Sequence, residues 1–237
     1  TLELPDTVTA IASKAFYDCG YSGSAAVEYI KGGNISAIGN NAFHKSVIRS
    51  IDTADEFRVG DEAFRAAKYI TFPDTITLTG VGYASFFVDG RDDLKLCNSV
   101  ILKDGITEIP DICFSGAKVD SFTLPSTLKT IGSNAFANNE IKGIVLPDGV
   151  ESIGQGAFIR CANLETIHLP QKITSISQAC FCVCKKLKTV TSDSTITAVG
   201  SSAFEGCVSL EYFDIASLTE IGLAAFNECS CLTGELV

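Results

Sequence analysis

The 237-residue sequence contains no methionine, only two histidines, His44 and His168, and 18 lysines and arginines against 28 aspartates and glutamates. Without methionine there is no initiator residue. The chain opens on Thr1-Leu2-Glu3-Leu4-Pro5 with neither a basic n-region nor an apolar h-region, so a mature or trimmed fragment is expected. A formal charge of -10 leaves no Lys/Arg cluster for a phosphate backbone or an anionic membrane surface, which disfavours nucleic acid as a partner. No apolar run approaches the roughly 20 residues that a bilayer-spanning helix needs, and membrane insertion of this stretch is not expected. The nucleophile elbow G-x-S-x-G is absent, C-x-x-C is absent, and the two histidines stand alone. No catalytic residue, no resident metal and no cofactor is expected.

What is present is a repeat. Aligned on a small residue followed by phenylalanine, ten copies appear, at Phe16, Phe43, Phe64, Phe86, Phe114, Phe136, Phe158, Phe181, Phe204 and Phe226. Most spacings are 21 to 23 residues and two are 27 and 28. With each Phe as position 0, position −1 is always Ala, Ser or Cys, and position −5 is always β-branched, from Ile11 to Ile221. Position −8 is aliphatic in every copy but one, where Glu56 stands. Five of the six prolines (Pro5, Pro73, Pro125, Pro147 and Pro170) close an apolar pair farther upstream. A hydrophobic content of 46% with 19% charged residues is enough to give such units a core and excludes a disordered chain.

Each feature has a physical reading. Ile167 and Leu169 alternate as a short strand with one face buried, and Pro170 ends it for want of an N–H. Gly at position −4 suits a tight corner, and the Ser, Asn or Asp after it (Asn40, Asp61, Ser133, Ser201) suits a helix N-cap. The motif small-Phe-x-x-Cys is expected to form a short helical turn with Phe pointing inward. A unit of about 22 residues cannot bury its own apolar side, but stacked copies bury one another. The expectation is an α/β fold: a right-handed solenoid of about ten coils of 21–23 residues, with a parallel sheet on one side, as a single domain over 1–237.

The pattern L-x-x-I-x-L-P-x-x-(V/I)-x-x-I-G-x-x-A-F-x-x-C, followed closely over residues 119 to 231, is similar to the BspA-like leucine-rich repeats. That resemblance implies a leucine-rich-repeat solenoid and transfers no catalytic residues. It also implies an extracellular or cell-surface location and a role in adhesion, with host matrix or plasma proteins as the expected kind of partner.

Two segments break the period: residues 17 to 35, and residues 87 to 99 with Asp89, Asp92 and Asp93. Both are expected as surface loops, on the binding face or simply tolerated, and the three aspartates lack the spacing of a calcium loop. The array begins and stops within a repeat, as a piece cut from a longer array would. Cys19, Cys161, Cys184, Cys207 and Cys229 occupy position +3, while Cys113 and Cys180 replace the small residue at −1. Buried free thiols are expected there. Outward strand positions form the candidate partner-binding strip: Tyr69, Thr71, Thr123, Thr166, His168, Thr191, Tyr212 and Asp214, flanked by Ser121, Val145 and Thr189. The same residues also suit plain strand propensity. The sequence therefore points to a non-catalytic protein-binding or adhesion module, with a passive spacer of a larger surface protein as the alternative. The ligand and the oligomeric state stay open.

Overall fold

The computed structural model describes residues 1–20, 26–67, 69–87, 95–214 and 216–233. The chain winds so that most coils contribute two short strands and one turn, and the turns and most of the strands hydrogen-bond to their counterparts in the next coil. Along one side run the strands upstream of the prolines. Leu2–Leu4, Tyr29–Gly32 and Ser50–Ile51 pair in parallel, as do Ser99–Leu102 with Ser121–Thr123. Gly143–Ile144, Thr166–Leu169 and Thr189–Ser192 continue this side, and a single bridge joins Thr189 to Tyr212.

A second parallel ladder follows the β-branched −5 positions. It runs Ala10–Ile11, Ala37–Ile38, Glu56–Val59 and Thr75–Val81, then Glu108–Ile109, Thr130–Ile131 and Ser152–Ile153, then Ser175–Ile176, Ala198–Val199 and Glu220–Ile221. Thr75–Val81 joins the two sides, since it pairs with Glu56–Val59 at one edge and with Ser99–Leu102 at the other. The expected single sheet is thus two rows of strands, divided among five parallel sheets in the described residues. The Val27–Ile30 stretch, expected as part of an insertion, contributes to the strand Tyr29–Gly32.

The expected α/β class is corrected. No helix occurs among the described residues, and the structure is a parallel-sheet β-solenoid of about eight turns. The Phe158 coil shows why. Within the coil Ala157, Ile159 and Cys161 donate their N–H groups to carbonyls three residues back, those of Gly154, Gly156 and Phe158. The intervening N–H groups of Gly156, Phe158 and Arg160 leave the coil and donate to Gln178, Cys180 and Cys182 of the next one, at 2.8–2.9 Å. A helix needs every N–H for its own i−4 carbonyl. Here half of them bind the neighbouring coil instead. The geometry also requires left-handed backbone at −2 and +2, as at Gly156 (φ 62°) and Arg160 (φ 59°), and a helix cannot contain that. Side chains as unsuited to it as Ile112 (φ 52°) and Val183 (φ 61°) are held there by the ladder.

The figure of ten coils is corrected as well. Eight repeat phenylalanines, Phe43 to Phe204, are wholly buried, whereas Phe16 and Phe226 of the end copies have neighbours on one side only and are partly buried. The ten rings form one stack, with consecutive centroids 5.1–6.1 Å apart and planes within 14° of parallel. Phe122 packs edge-on against Phe114 and Phe136, filling the coil interior from the strand side.

Close coil spacing sets the −4 glycines. A Cβ on Gly154 would stand 2.5 Å from the Ser133 nitrogen and 2.7 Å from the Gly132 carbonyl carbon, so the residue permits contact between coils rather than a corner. The Asn and Asp side chains expected as N-caps serve the next coil: Asn40 Oδ1 accepts from Asp61 N, and Asp61 Oδ1 from Tyr83 N. The Glu56 exception also resolves. A register shift between Phe57 and Arg58 lets Phe57 pair with Leu78 and fill the aliphatic slot, while Glu56 turns outward to Lys103 at 2.9 Å.

Candidate binding face

In Thr166–Leu169 burial alternates strictly: Ile167 and Leu169 face the core, and Thr166 and His168 face solvent. The same alternation exposes Ser121 and Thr123 around buried Phe122, and Tyr212 and Asp214 around buried Phe213. Tyr69, Val145 and Thr191 are exposed, while Thr71 and Thr189 are half-buried. The strip expected from the sequence is thus an outward face shared by successive coils. Registered pairs bring Thr166 beside Thr189, and His168 beside Thr191. Tyr29, which the sequence reading left out, belongs to the same side, and the alternation in Tyr29-Ile30-Lys31 was its signal.

Side chains link these coils. His168 Nδ1 lies 2.8 Å from Thr191 Oγ1, and its Nε2 lies 3.0 Å from Asp193 Oδ2. A carboxylate only accepts, so Nε2 carries a proton, and the Thr191 hydroxyl, able to donate or accept, partners Nδ1. Near the other end the Arg49 guanidinium sits 4.7 Å above the Tyr69 ring, with Arg49 Nε 3.1 Å from Glu28 Oε2. Beside Tyr212 is a depression of about 220 Å³ lined by Thr191, Ser192, Ser194, Tyr212 and Asp214, above Val190 and Phe213. The middle of the face is bare: Val145 is 85% exposed, and a Cβ on Gly143 would touch nothing within 4 Å. One edge is charged, as Lys142, Glu165, Lys188 and Glu211 stand exposed in successive coils with alternating sign.

The thiols of Cys161, Cys184 and Cys207 lie inside, in a structural role. Cys161, Cys184, Cys207 and Cys229 each donate Sγ–H to the Phe carbonyl of the preceding coil, at 3.1 Å. Asn139 at the same position does so through Nδ2 at 2.9 Å. Burial pushes the Cys161 and Cys207 thiols up to about 12 and Cys229 up to about 11, and it raises Cys184 well above the ordinary thiol range. Cys19, Cys113, Cys161, Cys180, Cys182, Cys184, Cys207, Cys229 and Cys231 are free thiols. Among the described residues no three His, Cys, Asp or Glu side chains are grouped to hold a metal ion, Cys180, Cys182 and Cys184 included. Asp89, Asp92 and Asp93, Tyr21 to Ser24 of the first insertion, Ile215 and the terminal Leu236-Val237 lie outside the described residues. No described helix is long and apolar enough to cross a membrane.

Among curated proteins none matches the sequence. A leucine-rich repeat protein from Bacteroides ovatus has the same fold at a TM-score of 0.60 and 20% identity, over 98% of this chain and 70% of that one. A leucine-rich repeat protein of T. pallidum matches at 0.47 and 18% identity, over 99% and 78%. A leucine-rich cell surface protein from Faecalibacterium prausnitzii matches at 0.43 and 18% identity, over 98% and 86%. The model of the BspA-type leucine-rich repeat region matches residues 1–101 and 107–233 in six copies. With nearly the whole sequence matched and the repeat built as coils, the chain belongs to the BspA-type leucine-rich repeat family.

Proposed function

We propose that this chain is a non-catalytic protein-binding or adhesion module displayed at a cell surface, and that it engages its partner through the outward strand face. One observation carries the reading: a strip of exposed Ser, Thr, Val, His and Tyr side chains, one or two from each of the five successive coils between Ser121 and Tyr212, edged by charges. A neutral, partly apolar centre inside a polar rim suits a protein interface, and exposed tyrosines, here at the two ends of the face, are enriched in such surfaces. Leucine-rich repeats generally mediate protein binding, and the family resemblance supports the surface location and a host matrix or plasma protein as ligand. A broad face of this kind distributes contacts, so single substitutions on it weaken binding modestly.

The test passes the tagged chain over immobilised host matrix and plasma proteins, beside a variant carrying Tyr69→Ala, Thr166→Ala, His168→Ala and Tyr212→Ala together. Capture of a protein by the parent and its loss in the equally stable variant is the expected result. Equal capture by both would reject this face. Absence of capture at micromolar concentration would reject the binding role in favour of a spacer in a larger surface protein.

A further inference from the structure

The two ends of the strand face treat tyrosine differently. At Tyr69 an arginine already covers the ring: Arg49 lies 4.7 Å above it, and Glu28 holds the guanidinium from behind at 3.1 Å. At Tyr212 the ring is 58% exposed, and Asp214, which lines the depression beside it, gives only Oδ1 to the Ala216 N–H. Thr191, Ser192 and Ser194 add hydroxyls and Val190, Ile196 and Phe213 an apolar floor, and among the described residues no lysine or arginine is in the lining. Tyr212 and Asp214 thus repeat the ring and carboxylate of the Tyr69 arrangement without its cation, in a chain whose formal charge is -10.

We propose that the Tyr212 depression is a subsite for a cationic side chain, an arginine in a basic segment of the partner protein. The guanidinium lies against the Tyr212 face, where the ring quadrupole attracts it. Its N–H groups are donated to Asp214 Oδ2 and to the Ser192 and Ser194 hydroxyls. Guanidinium suits the site better than ammonium, because its flat, weakly hydrated plane stacks on a ring while its edge donates. The inference rests on the strand face being the binding face, and it adds the chemistry of the ligand.

The probe is an acetylated, amidated (Gly-Arg)4 peptide, with the isosteric citrulline peptide as its neutral partner, titrated against the whole chain by calorimetry or NMR shift mapping. The arginine peptide is expected to shift Tyr212 and Asp214 and to bind at least about fivefold more tightly than the citrulline peptide. Tyr212→Ala and Asp214→Asn should each lose about two- to fivefold, as for an exposed cation–π or charged contact, and Tyr212→Phe should retain binding. Equal binding of the two peptides, or unchanged affinity in Tyr212→Ala, would overturn the subsite. The two ideas fail separately. A captured protein lost by the strip variant, with no arginine peptide at Tyr212, removes the cation and keeps the face. Peptide binding at Tyr212 beside equal protein capture by parent and strip variant removes the face, and with it the partner's arginine, and leaves a local cation site only.

Discussion

Replacing Gly206 by alanine separates the observed turn ladder from the helical turn that the motif small-Phe-x-x-Cys suggests. Gly206 is at position +2 of its coil with φ 71°, and the nearest atom to an added Cβ is Val183 Cγ2 at 3.5 Å, an ordinary contact. No clash contributes, so the effect is almost purely that of the backbone. In a helix Gly→Ala stabilises by about 1 kcal/mol. In left-handed backbone the same change costs about 1–2 kcal/mol, reduced by up to about 1 kcal/mol because alanine is less free than glycine when unfolded. The expected result is a net loss of about 1 kcal/mol, in the middle of that range, so the two pictures differ in sign. The converse substitution, Val183→Gly at +2 of the preceding coil with φ 61°, should stabilise slightly, since the half-buried valine gives up little packing. Urea denaturation, with midpoints compared at unchanged m-value, measures both. A stabilised Gly206→Ala variant would refute the left-handed assignment and restore the helical turn.

Phe158→Ala should cost about 3–5 kcal/mol, because the ring is wholly buried between Phe136 and Phe181, and the same change at half-open Phe16 should cost clearly less; equal losses in thermal denaturation would contradict the stack. In a timed thiol titration of the native chain, exposed Cys231 should react first, and Cys161, Cys184 and Cys207 only on unfolding. Fast reaction of all ten would contradict their burial. Burial lowers the His44 pKa below its ordinary 6.5, and this outweighs the opposing pull of Glu62, whose nearer partner is Arg65 at 2.6 Å. The unfolded chain therefore takes up that proton first as pH falls below about 6.5, and stability drops from there toward the lower folded value. His44→Gln should flatten that part of the stability–pH curve, and an unchanged slope would exclude His44 as the cause.

The sequence disclosed the repeat and the inward set, because burial acts on residue type at fixed positions: from Phe43 to Phe204 each repeat Phe and each small −1 neighbour is buried, as are Cys161, Cys184 and Cys207 at +3. It also disclosed the outward strip, since Thr166 and His168 must face away if Ile167 and Leu169 face in. The turn was misjudged because A-F-x-x-C satisfies helical spacing and coil-to-coil ladder spacing equally. The difference lies in φ at Gly156 or Val183, which no side chain announces. Glu56 looked like a lapse in the pattern, because a one-residue register shift that seats Phe57 leaves no mark in the alignment. The Arg49–Tyr69 stack was illegible for a different reason: its residues are 20 apart, and only the coil geometry brings them together.

The binding role of the strand face is tested most directly by hydrogen exchange on the chain bound to a captured partner. The account predicts slowed exchange in segments 121–123, 143–145, 166–168, 189–191 and 212–214, with the turn segments around Phe136, Phe158 and Phe181 unchanged. Protection confined to those turn segments would contradict it.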